Sequence, residues 1–83
     1  MSPRRLPVIS GRGLIRKLSQ AYGYEIVRQK GSHIRIRTYL GGKHSLTTPD
    51  HKELDRGTLS GIIDEVARHF GTEKEDVVRS LFD

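Results

Sequence analysis

The sequence predicts an α+β fold: a three-stranded antiparallel meander among helices in the order α-β-β-β-α, plus a short C-terminal helix. Three observations predict it. His33 to Tyr39 alternates strictly, with Ile34, Ile36 and Thr38 on one side and His33, Arg35, Arg37 and Tyr39 on the other, which is the period of a half-buried strand. Leu59, Ile62, Ile63, Val66 and Phe70 recur at helical spacing. Glycine-bearing turns at 30–32 and 40–43 separate strand-like runs closely enough for hairpins.

Each element has a local cause. Ser10 is placed to cap a first helix with Leu14, Ile15, Leu18 and Tyr22 on one face and Gly23 at its end, leaving Arg12, Arg16 and Lys17 to solvent. Gly13 falls where a capping box would have Glu, and costs up to about 1 kcal/mol relative to alanine, so a loose helix start is expected. Tyr24 to Gln29 is rich in β-branched and aromatic residues and reads as the first strand. His33 to Tyr39 is the second, and His44 to Thr48, stopped by Pro49, is the third. A polar loop, 49–57, leads to a second helix capped by Thr58 and closed by Gly71. Thr72 and Glu75 then form a capping box for a third helix carrying Val77, Val78, Leu81 and Phe82. One sheet with every helix on the same face satisfies all these stripes and leaves His33, Arg35 and Arg37 on a wet face.

Eighty-three residues suffice for one compact domain, residues 1–83, with a single core. The absence of cysteine excludes disulfides, thiolate metal sites and a cysteine nucleophile, and points to a cytoplasmic protein. No signal-like or membrane-spanning run is present. The net charge is +5 and the pI about 10.0, and the charge is segregated. Residues 1–43 hold ten Lys or Arg against the one acid Glu25, and residues 44–83 hold five against nine. A polyanion would lie against the first half.

His33 begins a strand just after a glycine turn and shares its face with Arg35 and Arg37. A histidine, with an ordinary pKa of about 6.5, can take a proton from a ribose 2′-hydroxyl or give one to a leaving oxygen. Lys30, Arg35 or Arg37 would neutralise charge growing on phosphorus, with no metal or other cofactor required. On spacing alone a passive His33 is the simpler reading. His44 falls in register with Leu46 and Thr48 and reads as structural. His51, in the polar loop, reads as a solvated residue or a second acid or base, and His69 as a C-terminal helix cap. The histidines lack metal-ligand spacing, Gly11-Arg12-Gly13 lacks the preceding strand of a phosphate loop, and Arg4 and Arg5 read as a tail or a nucleic-acid-contacting arm.

SGRGLIRKL, YEIVRQKGSHIRIR and PDHKELDRGTLSGII resemble successive blocks of the HicA toxin family over roughly residues 8–70, most specifically in RQKGSH, Arg28 to His33. The resemblance implies a fold like the double-stranded-RNA-binding domain. It also implies an mRNA interferase, a metal-independent endoribonuclease whose catalytic histidine is the one in Gly31-Ser32-His33. Arg28, Lys30, Ser32, Arg35 and Arg37 are then the expected RNA-binding residues. The implied partners are mRNA and a HicB-type antitoxin covering the active face, with no membrane. A homodimer and a toxin-antitoxin hetero-oligomer are both compatible with it. Two features depart from the family: Gly13 stands where Glu is common, and residues 72–82 extend a chain that often stops earlier. The rivals to an enzyme are a non-catalytic RNA-binding module and an interaction protein whose basic face holds only an acidic partner.

Overall fold

The computed structural model describes residues 6–83, so Arg4 and Arg5 lie outside the described residues. The elements are α1 (Gly11–Tyr22), β1 (Glu25–Lys30), β2 (His33–Thr38), β3 (His44–Pro49), α2 (Arg56–Phe70) and α3 (Lys74–Phe82). The strands form one antiparallel sheet in the order β1-β2-β3. This is the predicted α+β meander, and its α-β-β-β-α portion is arranged like a double-stranded-RNA-binding domain.

Sequence sets each boundary. The Ser10 hydroxyl accepts the Gly13 N–H at 2.9 Å, and Gly23, at φ 72°, closes α1 by donating to the Leu18 and Ser19 carbonyls. The start of α1 is not loose, because the Gly11 N–H is also bonded to the His51 carbonyl at 2.9 Å. Tyr24 precedes β1 rather than opening it; its ring is fully buried. β2 stops at Thr38, one residue short of the expected Tyr39. There the Thr38 hydroxyl donates to the Tyr22 carbonyl and accepts the Leu40 N–H, turning the chain away from the ladder. Pro49 does not stop β3 but ends it in register opposite His33, as an edge strand permits.

Two caps fall elsewhere than expected. Asp55, not Thr58, caps α2: its carboxylate accepts both the Thr58 N–H at 2.8 Å and the Thr58 hydroxyl at 3.0 Å, so Thr58 is the capped residue. Likewise α3 has Glu73 at its cap and Asp76 in the role assigned to Glu75, with the Glu73 N–H and the Thr72 hydroxyl both donating to Asp76. The 49–57 loop is less polar in its packing than in its composition, since Leu54 is buried and its N–H is bonded to the Ile9 carbonyl.

All helices cover one face of the sheet. Leu14, Ile15 and Leu18 of α1, Ile34, Ile36 and Leu46 of the sheet, Leu59, Ile62, Ile63 and Val66 of α2, and Val77, Val78 and Leu81 of α3 form one cluster. Fully burying such a side chain contributes about 1.5–3 kcal/mol before entropy is charged against it. α3 packs on both α1 and α2, and Lys17 of α1 lies over the Phe82 ring, so the extension is integral to the core. The other sheet face is left to solvent. Among the described residues, no helix is long and apolar enough to cross a membrane.

Candidate active site

The first hairpin places the candidate residues. Gly31 and Ser32 form a two-residue loop with Gly31 at φ 59°, a conformation that L side chains rarely adopt and that lets Lys30 and His33 pair directly. On β2, Ile34, Ile36 and Thr38 are fully buried, which turns His33, Arg35 and Arg37 to the open face. β1 would be out of phase but for a bulge at Val27, where the register steps from Ile26↔Ile36 to Arg28↔Arg35. The extra residue brings Arg28 and Lys30 to the face of Arg35 and His33.

The result is an open depression of about 310 Å³ lined by Arg28, Lys30, His33, Arg35 and Thr47. Thr47 and Ser45 were not singled out by the sequence, yet they aim the arginines. Directly across the ladder, Thr47 Oγ1 accepts from Arg35 Nη1 at 3.1 Å, and Ser45 Oγ accepts from Arg37 Nε at 2.7 Å. The predicted site residues thus divide. Arg28, Lys30, His33 and Arg35 meet in the depression, Arg37 stands one step further along the same face, and Ser32 sits in the turn with its carbonyl bonded to the Asp50 N–H. Among the described residues, none of Arg28, Lys30, Arg35 and Arg37 forms an ion pair.

The four histidines separate by environment. His44 is bonded through Nδ1 to the Tyr24 hydroxyl at 2.7 Å and stacks on His69 with ring centroids 4.6 Å apart. His69 donates from Nε2 to the Leu40 carbonyl at 2.9 Å. It therefore anchors the β2–β3 turn rather than capping α2, whose end is closed by the Gly71 N–H on Ala67 and Arg68. His51 is exposed and does not line the depression. His33 is exposed and its ring is bonded to no described residue, which leaves both nitrogens available to a ligand. Among the described residues there is no cluster of His, Cys, Asp or Glu that could hold a metal ion.

The His44 contacts have a measurable consequence. Burial, then the facing His69 and Arg35, hold the His44 pKa below 6.5 against the opposing pull of Glu65, while burial first and Glu65 next push the Tyr24 hydroxyl up to about 12. The hydroxyl keeps its proton, and the lowered pKa favours a neutral His44 ring beside it. An unfolded His44 binds a proton near its ordinary value and the folded one only at lower pH, so stability is full above that value and falls as the pH drops through it. Melting temperatures between about pH 7 and pH 5.5 should fall for the wild type and fall less for His44→Gln. The lowered pKa values of Asp55 and Asp76, set by Thr58 and Thr72 respectively, act in a separate window, below about pH 4.

Comparison with known proteins adds one finding. Neither the curated proteins nor the solved structures gave a match. A family model described as "HicA toxin of bacterial toxin-antitoxin" matches residues 11–68, which run from the start of α1 almost to the end of α2 and take in the whole depression. That match covers well over half of the chain, and the protein accordingly belongs to the HicA toxin family of bacterial toxin-antitoxin systems.

Proposed function

We propose that this toxin-family protein is an endoribonuclease, an mRNA interferase with His33 as its general acid/base. One observation carries the reading: the histidine with an uncommitted ring stands at the head of a depression whose cations form no ion pair among the described residues. Arg28, Lys30, Arg35 and Arg37 hold the phosphates on either side of the scissile bond, and Ser32 contributes from the turn. In the step itself, His33 takes the proton of a ribose 2′-hydroxyl as its oxygen forms a bond to the adjacent phosphorus. The bond from phosphorus to the 5′-oxygen breaks, that oxygen is protonated from solvent, and the imidazolium returns its proton to solvent. The cations stabilise the charge that builds on the phosphoryl oxygens. The products are a 2′,3′-cyclic phosphate and a 5′-hydroxyl.

The toxin-antitoxin family implies an antitoxin partner. We assign it to the HicB type, covering the basic face, and place both proteins with mRNA in the cytoplasm. No metal or other cofactor enters the scheme.

The test is a single-stranded RNA and the same sequence made as DNA, incubated with the protein in EDTA. The reading requires cutting of the RNA and none of the DNA, which lacks the nucleophile. RNA held but never cut would reduce the protein to a binding module. The arginines have a separate signature. Arg35→Ala or Arg37→Ala should weaken RNA binding severalfold and each reduce the slope of log affinity against log salt by about 0.7, one phosphate contact on a single strand. A slope unchanged in both variants would remove them from the interface.

A further inference from the structure

Gln29 and Asp50 take no part in the chemistry above, yet they close a polar junction behind the turn that carries His33. Arg12, in the first turn of α1, donates from Nη2 to Gln29 Oε1 at 3.0 Å and to Asp50 Oδ2 at 3.2 Å, while its Nε lies 3.2 Å from Asp50 Oδ1. Arg12 is therefore not a free surface cation, as its position on the polar side of α1 suggested. Gln29 Nε2 donates to the Gly31 carbonyl at 3.1 Å and reaches Asp50 Oδ2 at 3.4 Å. The Asp50 N–H donates to the Ser32 carbonyl at 2.6 Å. Both carbonyls of the two-residue turn are thus held from behind.

Beyond the ladder pairs of His33 with Lys30 and Pro49, Gly31 and Ser32 have little else to hold them. Gly31 has no atom within 4 Å of where a Cβ would stand, and Gly31, Ser32 and His33 are all exposed. Packing does not fix the loop, so the hydrogen bonds to its carbonyls decide where it rests. Gln29 pairs with Ile34 in the ladder and so belongs to the helix side of the sheet, away from the open face.

We infer that Gln29, locked by Arg12 and Asp50, is a positioning residue that sets the His33 ring against the phosphate-binding cations. It acts on the reaction through the turn and not through the substrate. The inference rests on the ribonuclease reading, and its test separates the two. In Gln29→Ala, and in Gln29→Glu, which keeps the size and the Arg12 contact but cannot donate to the Gly31 carbonyl, kcat should fall roughly tenfold or more. KM should stay within about twofold, since Arg28, Lys30, Arg35 and Arg37 are untouched. Backbone NMR order parameters at Gly31, Ser32 and His33 should fall in both variants, with circular dichroism and the remaining amide signals unchanged.

Unchanged order parameters, or an unchanged kcat, would overturn the positioning role. So would a raised KM with kcat intact, which would mark Gln29 as a substrate contact. If the wild type cuts no RNA, the ribonuclease reading fails on its own, and the order parameters in Gln29→Ala still decide whether Gln29 holds the turn.

Discussion

Replacing His33 with alanine should lower kcat for RNA cleavage by about 10²–10⁴-fold, the usual worth of a positioned general acid or base. The loss should fall on kcat. The electrostatic attraction comes from Arg28, Lys30 and Arg35 in the depression and Arg37 beside it, none of which the substitution touches, so KM and the salt dependence of binding should change little. The fold should be indifferent, because the ring is bonded to nothing among the described residues and packs into no core. Substitution at the other histidines should look different. His44→Gln removes the partner of a buried tyrosine hydroxyl and changes stability first. A His33→Ala protein as fast as the wild type would move the catalytic group elsewhere on the face, or remove catalysis from the account.

The second large effect is on stability. A methyl group added at Gly11 would stand 1.9 Å from the Pro49 carbonyl oxygen and 3.0 Å from its carbon, and these are backbone atoms that cannot rotate aside. To fit it, the start of α1 must withdraw from the end of β3, breaking the bond from Gly11 to the His51 carbonyl and disturbing the Arg12–Asp50 pair beside it. Gly11→Ala should therefore destabilise the protein by about 3 kcal/mol, at the upper end for forced overpacking. Gly61, within α2, is its control: a Cβ there meets nothing within 4 Å. Gly61→Ala should stabilise by up to about 1 kcal/mol through helix propensity and a less free unfolded chain. Urea denaturation of the two variants measures the contrast. Equal stabilities would contradict the close approach of α1 to β3.

What was legible in the sequence was whatever a single element determines by itself. β2 was readable because burial of Ile34, Ile36 and Thr38 forces the opposite phase on His33, Arg35 and Arg37. α2 was readable from its stripe, but its start was not. Asp55 lies outside the apolar period, and Thr58, an equally good capping residue by type, turns out to be the residue that Asp55 caps. The candidate site was half legible. Gly31-Ser32-His33 and the β2 arginines follow from the turn and the alternation, and Lys30 and Arg28 are named by the turn and by the RQKGSH resemblance, but the bulge at Val27 that brings those two to the same face leaves no mark in the β1 composition. The Arg12–Gln29–Asp50 junction unites residues 17, 21 and 38 positions apart, which no local pattern brings together. Gly11-Arg12-Gly13 shows how far local reading goes. It is correctly not a phosphate loop, yet its glycines and arginine serve a close approach, an ion pair and a cap that only the third dimension reveals.

On the proposed chemistry, RNA is cut by attack of its own 2′-hydroxyl, with the proton taken by His33. The most direct measurement is the chemical identity of the new 3′ end, read by mass spectrometry after wild-type protein has cut a single-stranded RNA in EDTA. The expected ends are a 2′,3′-cyclic phosphate on the upstream fragment and a 5′-hydroxyl on the downstream one. A 3′-hydroxyl with a 5′-phosphate, the mark of attack by water from the other side, would contradict it.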